Sequence, residues 1–130
     1  MDEALNTIER HSVAINERNL TEYLKTIVFP FTYQNYNGVA ITINSEADYG
    51  TVFPTPWDII LSTEPDWSHT QFDLIEELIR GTSSVAYKLI FRRINNNGKN
   101  LPPNQAIWIA VVKEGVWGVQ FRHNLGIVDK

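Results

Sequence analysis

The chain has 130 residues, 43% of them hydrophobic, which is enough to bury one core but not two. Fifteen acidic residues against 11 basic ones give a net charge of −4, and that field repels a polyanion and argues against nucleic acid as a partner. The absence of cysteine excludes disulfides, thiolate metal sites and cysteine nucleophiles. No apolar run approaches the roughly 20 residues that span a bilayer. The start, Met1-Asp2-Glu3-Ala4-Leu5-Asn6, has neither the basic nor the apolar region of a signal peptide. One domain over residues 1–130, a cytoplasmic location and no membrane association are therefore expected.

Ala4, Ile8, His11 and Ile15 recur at helical spacing, with Leu5 and Ser12 alongside and Glu9, Arg10 and Glu17 opposite, which predicts an amphipathic helix over residues 3–17. Asn19-Leu20-Thr21-Glu22 has the form of a capping box and opens a second helix through Tyr23, Leu24 and Ile27, which Pro30 ends. Residues 31–34 alternate as a strand, and Asn37-Gly38 is a two-residue hairpin signal leading into a strand over residues 39–43. Ser45-Glu46-Ala47-Asp48 reads as a further helix start that Pro54 and Pro56 cut short. Residues 62–68 form a polar loop.

The segment 69–80 fits two periods equally well, a strand through Phe72, Leu74 and Leu78 or a helix through Phe72, Ile75, Leu78 and Ile79. After the turn Gly81-Thr82-Ser83, three strands are expected over residues 84–94, 106–113 and 116–123, joined by residues 95–103 and by Glu114-Gly115. No repeat or low-complexity tract interrupts this order.

Two helices, a hairpin, a short helix and a meander ending in Gly115-Val116-Trp117-Gly118-Val119-Gln120-Phe121-Arg122 resemble the nuclear transport factor 2-like superfamily, with its SnoaL-like and ketosteroid-isomerase-like members. Ala14-Ile15-Asn16-Glu17-Arg18-Asn19-Leu20 and Trp67-Ser68-His69-Thr70-Gln71-Phe72-Asp73 carry the same resemblance, which covers residues 3–125. It implies an α+β fold, a cone of curved antiparallel sheet packed by N-terminal helices around a central pocket, with residues 69–80 as a long strand. It also implies pairing of two copies through the outer sheet face. The scaffold hosts isomerases, dehydratases, cyclases, ligand binders and adaptors, so the pocket must decide function. In the ketosteroid isomerases a helix-1 tyrosine and a protonated carboxylic acid hold the substrate oxyanion while a second carboxylate moves the proton. The matching positions here are His11, Ile107 or Trp108, and Asn35, and a neutral amide at Asn35 cannot act as a base.

His11, on the apolar stripe of the first helix, reads either as a satisfied core histidine or as a pocket donor or base. His69, Gln71 and Asp73 share one strand face if residues 69–79 are extended, giving either a ligand-lining acid–base pair or an exposed polar edge. His123 follows Trp117, Val119 and Phe121 on one face of the last strand and falls at the cavity rim, with Gln120 and Arg122 on the other face. Arg92 and Arg93 point to opposite faces of their strand and so form no single basic patch.

Tyr33, Trp57, Tyr87 and Trp108, part of a 12% aromatic content, can line an apolar pocket or fill the core. The histidines lack metal-ligand spacing, no phosphate-cradling loop or nucleophile elbow occurs, and neither metal nor cofactor is expected. Ile107, Ile109 and Val111 oppose Ala106, Trp108, Ala110 and Val112, a strand apolar on both faces that points to a homodimer. The expected function is the binding of a small apolar or amphipathic molecule in the cone, with His11, Tyr33, Asn35, Trp57, His69, Tyr87 and Trp108 as lining candidates. The alternatives are acid–base catalysis of the isomerase, dehydratase or cyclase kind by His11, His69 or Asp73, and a protein-interaction module.

Overall fold

Asp2 caps the first helix by accepting a hydrogen bond from the Leu5 N–H, and helix α1 (Glu3–Glu17) then buries Ala4, Ile8, His11 and Ile15 as its spacing predicts. The computed structural model describes residues 2–128. Arg18 ends α1 in the left-handed conformation, and Asn19 caps α2 (Leu20–Leu24) by accepting from the Glu22 N–H. Glu22 does not complete the capping box; its carboxylate pairs with Lys25 instead. The second helix is shorter than its periodicity suggests, because Ile27 already begins strand β1 (Ile27–Asn35) and Pro30 lies inside that strand rather than at a helix end.

β1 turns back into β2 (Ala40–Ile43) through Tyr36, Asn37, Gly38 and Val39, a four-residue connection in which Gly38 takes φ +87°, not the two-residue hairpin expected. A single 3₁₀ turn at Glu46–Asp48 stands where a longer helix was expected. Helix α3 (Pro56–Thr63) falls partly in the segment read as loop. Thr55 accepts from the Asp58 N–H at its start, and Pro56 occupies its first turn. Strands β3 (Trp67–Arg80), β4 (Ser84–Asn95), β5 (Asn104–Lys113) and β6 (Val116–Ile127) follow, so the ambiguous 69–80 segment is extended. Glu114 and Gly115, with φ of +53° and +79°, turn β5 into β6.

The six strands form one curved, unclosed sheet in the order β2-β1-β6-β5-β4-β3, antiparallel except where β1 runs parallel to β6. The helices pack on its concave side. The two motifs at the α1–α2 junction and at the start of β3 meet there. Asn16 exchanges hydrogen bonds with the Thr70 backbone at 2.8 Å in both directions, and Arg18 lies 4.2 Å from the Trp67 ring centre while donating to the Trp67 and Ser68 carbonyls. On the convex side, Ile107, Ile109 and Val111 of β5 remain half-buried. No helix among the described residues is long and apolar enough to cross a membrane.

Candidate functional site

The concave face of the sheet presents Tyr33 from β1, Thr70 and Phe72 from β3, Phe91 and Arg93 from β4, Ala106 and Trp108 from β5, and Arg122 and Asn124 from β6. Pro56, Ile59 and Ile60 of α3 and Ile15 of α1 roof this surface and enclose a chamber of about 80 Å³. An outer chamber of about 230 Å³ shares Tyr33, Ile59, Ile60, Arg93 and Asn124 with it and adds Asn35, Tyr36, Glu64 and Leu101. The cavity is therefore stepped, with a mainly apolar inner chamber and a more polar outer one, and arginines stand among its polar side chains.

Arg122 reaches the inner chamber because β6 carries a bulge. Ile109 faces Phe121 and Ala110 faces Val119, which leaves Gln120 unpaired and reverses the alternation beyond it. Val119 and Arg122 thus both point inward, whereas Phe121 and His123 point outward, and His123 bonds Gln34 at 3.0 Å on the outer side. This corrects the expectation that His123 shares a face with Val119 at the cavity rim and that Arg122 lies on the opposite face.

Arg122 is 6% exposed and its guanidinium is ringed by aromatic faces, with Phe31 at 5.1 Å, Tyr33 at 5.5 Å, Tyr23 at 5.7 Å and Trp108 at 5.9 Å. Its Nη1 donates to His11 Nε2 at 3.0 Å. His11 is fully buried, and the tautomer follows from its other nitrogen. The Thr26 hydroxyl donates to the Tyr23 carbonyl at 2.7 Å, so it accepts from His11 Nδ1–H at 2.8 Å, and Nε2 keeps its lone pair for Arg122. Burial, reinforced by the Arg122 charge, pushes the His11 pKa well down and keeps the ring neutral. Burial opposes the Arg122 charge, but the phenols of Tyr23, Tyr49 and Tyr33 outweigh it and the net shift is upward.

Of the lining candidates named from sequence, Tyr33 and Trp108 border the inner chamber and Asn35 borders the outer one. His11 stands behind the wall, bonded to Arg122 and packed edge-on against Trp108 at 5.2 Å, both of which line the cavity. Trp57 packs edge-on against Tyr23 at 5.8 Å, and Tyr87 is buried away from the chambers with its hydroxyl unbonded; both belong to the core and not to the pocket. His69 and Asp73 lie on the convex surface, since Thr70 and Phe72 are the residues that face inward. There Asp73 takes two hydrogen bonds from Arg92, which hold its carboxyl below the usual range. His11 is thus buried inside while His69 and Asp73 lie outside, and the three do not converge on the cavity.

The alternation that sends Arg92 outward sends Arg93 inward, as their adjacency requires. Sequence reasoning missed Arg93, Arg122, Asn124 and the α3 residues as pocket groups. Thr55-Pro56-Trp57-Asp58, a cap followed by proline in the first turn, was the signal for α3. Among the described residues, no cluster of acidic or histidine side chains is arranged to hold a metal ion.

No family model and no curated protein matches the chain. Solved structures do. A nuclear transport factor 2-like protein of unknown function from Shewanella oneidensis superposes with a TM-score of 0.65 at 12% identity, covering 95% of this chain and 96% of that one. An uncharacterized protein with a cystatin-like fold from Caulobacter vibrioides gives 0.66 at 17% identity, covering 98% and 89%. A nuclear transport factor 2-like superfamily protein from Salmonella enterica gives 0.64 at 11% identity, covering 96% and 89%. The chain has the nuclear transport factor 2-like cone fold, as its motifs imply.

Proposed function

We propose that the protein binds a small amphipathic organic molecule inside the cone. The observation that carries this reading is the inner chamber of about 80 Å³ with Phe72, Phe91, Trp108, Ile59 and Ile60 as its walls, continuous through shared residues with a wider mouth. Because none of its lining residues is a carboxylate or an imidazole, binding accounts for the chamber better than acid–base turnover by His11, His69 or Asp73. Small aromatic and aliphatic compounds should raise the melting temperature, since a ligand at about 100 times its Kd adds about 2.7 kcal/mol to the native state. Ala106→Leu, which fills the chamber, should abolish the rise; a panel that leaves the wild-type transition unmoved counts against the reading.

The apolar outward row Ile107, Ile109 and Val111 favours self-association of the outer sheet face as a second property of the same domain. Sedimentation at micromolar concentration should then give a dimer. A monomer at that concentration removes this part of the proposal.

A further inference from the structure

The inner chamber holds positive charge that nothing in the described structure neutralises. Arg122 and Arg93 both line it, and neither forms an ion pair among the described residues. Both Nε–H groups are buried and lack any hydrogen-bond acceptor. Such donors are rare in folded proteins, because an unsatisfied buried polar group costs about 1–3 kcal/mol and more when it is charged. Glu64 borders the outer chamber near Arg93 and favours its charge, but it lies beyond ion-pair distance, and burial still pulls the Arg93 pKa down.

The orientation of Arg122 adds chemical detail. His11 engages Nη1, on the far side of the guanidinium, and the Nε–H has no acceptor. The Nε edge of an arginine, Nε with Nη2, is the one that pairs side-on with a planar two-oxygen acceptor. His11 cannot supply a counter-charge, since it is a neutral acceptor whose other nitrogen is committed to Thr26. Asn124 and Thr70 add polar groups to the same lining, and Phe72, Phe91 and Trp108 supply apolar wall beside them.

We propose that the ligand of the cone is an organic anion whose carboxylate is received by Arg122 and Arg93, with its apolar or aromatic body against Phe72, Phe91 and Trp108. This rests on the reading of the cone as a small-molecule site and specifies the ligand's charge. A phosphate monoester offers related oxyanion chemistry but is tetrahedral and bulkier, so the flat carboxylate suits the narrow inner chamber better.

Calorimetric titration with benzoate, benzyl alcohol, benzylamine and phenyl phosphate tests the assignment. Benzoate should bind at least about tenfold more tightly than benzyl alcohol, the increment of a charge-assisted hydrogen bond, and benzylamine should not bind. Arg93→Gln, at a half-buried position, should remove most of the benzoate preference, lowering benzoate affinity by far more than benzyl alcohol affinity. A merely structural arginine would move both affinities together. Arg122→Met should lose benzoate binding as well, and circular dichroism shows whether it folds; Arg93→Gln decides the matter if it does not.

Equal binding of benzoate and benzyl alcohol, or an Arg93→Gln variant with the wild-type benzoate preference, overturns the carboxylate assignment while the binding-pocket reading stands. Tighter binding of phenyl phosphate than of benzoate replaces the carboxylate by a phosphate and overturns the stated class. Failure of every probe to bind wild type counts against both.

Discussion

Gly118→Ala is expected to lower the stability of the fold by about 3 kcal/mol, the upper part of the range for overpacking a closed interior. A Cβ on Gly118 would sit 2.8 Å from the carbonyl carbon of Ile27 and at the same distance from the Val28 nitrogen and Cγ2. Two of those atoms are backbone, and backbone cannot rotate aside. Gly118 lies where β6 comes up against the start of β1, one residue before Val119 donates to the Thr26 carbonyl at 2.7 Å.

Relief of the clash would push β1 away from β6 and pull Thr26 from His11, so packing and the buried polar chain would suffer together. Urea unfolding followed by tryptophan fluorescence measures the loss. Gly81→Ala is the control, because its Cβ would meet Ser84 O at 3.5 Å, an ordinary contact, and should change stability by less than about 1 kcal/mol. Equal midpoints for Gly118→Ala and wild type would show that β1 and β6 are not held as closely as described.

The second large effect is on pH. His11 titrates near 6.5 in the unfolded chain, while in the folded protein burial and the Arg122 charge hold its pKa well below that value. Below about pH 6.5 the unfolded state therefore binds a proton that the folded state refuses. The sign follows: the contribution of His11 is complete above its unfolded pKa and is lost as pH falls toward its folded pKa, with a slope of up to about 1.4 kcal/mol per pH unit.

His11→Gln isolates this term, because an amide can accept from Arg122 and donate to Thr26 without titrating. Denaturation midpoints between about pH 7 and pH 5 should fall more steeply for wild type than for His11→Gln. Parallel curves would mean that His11 accepts its proton in the folded state, and the neutral tautomer assigned to it would be wrong.

These effects converge on one column of residues running from the β1–β6 contact through Thr26, His11 and Arg122 to the inner chamber. Gly118 lets β6 lie close, Thr26 fixes the imidazole, the imidazole orients the guanidinium, and Arg122 lines the cavity with its Nε–H unbonded. His11 is then a positioning residue. Its helix stripe is legible in the sequence, but its role depends on a partner 111 positions away along the chain.

What the sequence determined by itself is local. Ala4, Ile8, His11 and Ile15 identify the buried stripe of α1, Asn19 marks the α2 cap, and the strand periods with Glu114-Gly115 between them lay out the β4–β6 meander. Opposite facing of Arg92 and Arg93 is equally local, since successive strand residues alternate. The 69–80 segment was undecided because its apolar residues satisfy both periods, and only hydrogen bonding to β4 made it a strand. Pro30 looked like a helix stop and lies within a strand, because packing of β1 on β6 overrides a local preference.

The chamber belongs to tertiary structure alone. Strict alternation places Val119, Phe121 and His123 on one face, but the unpaired Gln120 reverses the order and brings Arg122 inside. A one-residue bulge leaves no mark in apolar periodicity, and it decides whether a guanidinium or an imidazole faces the cavity. The sequence could specify the strands that build the cone; the register between them decided which charge it contains.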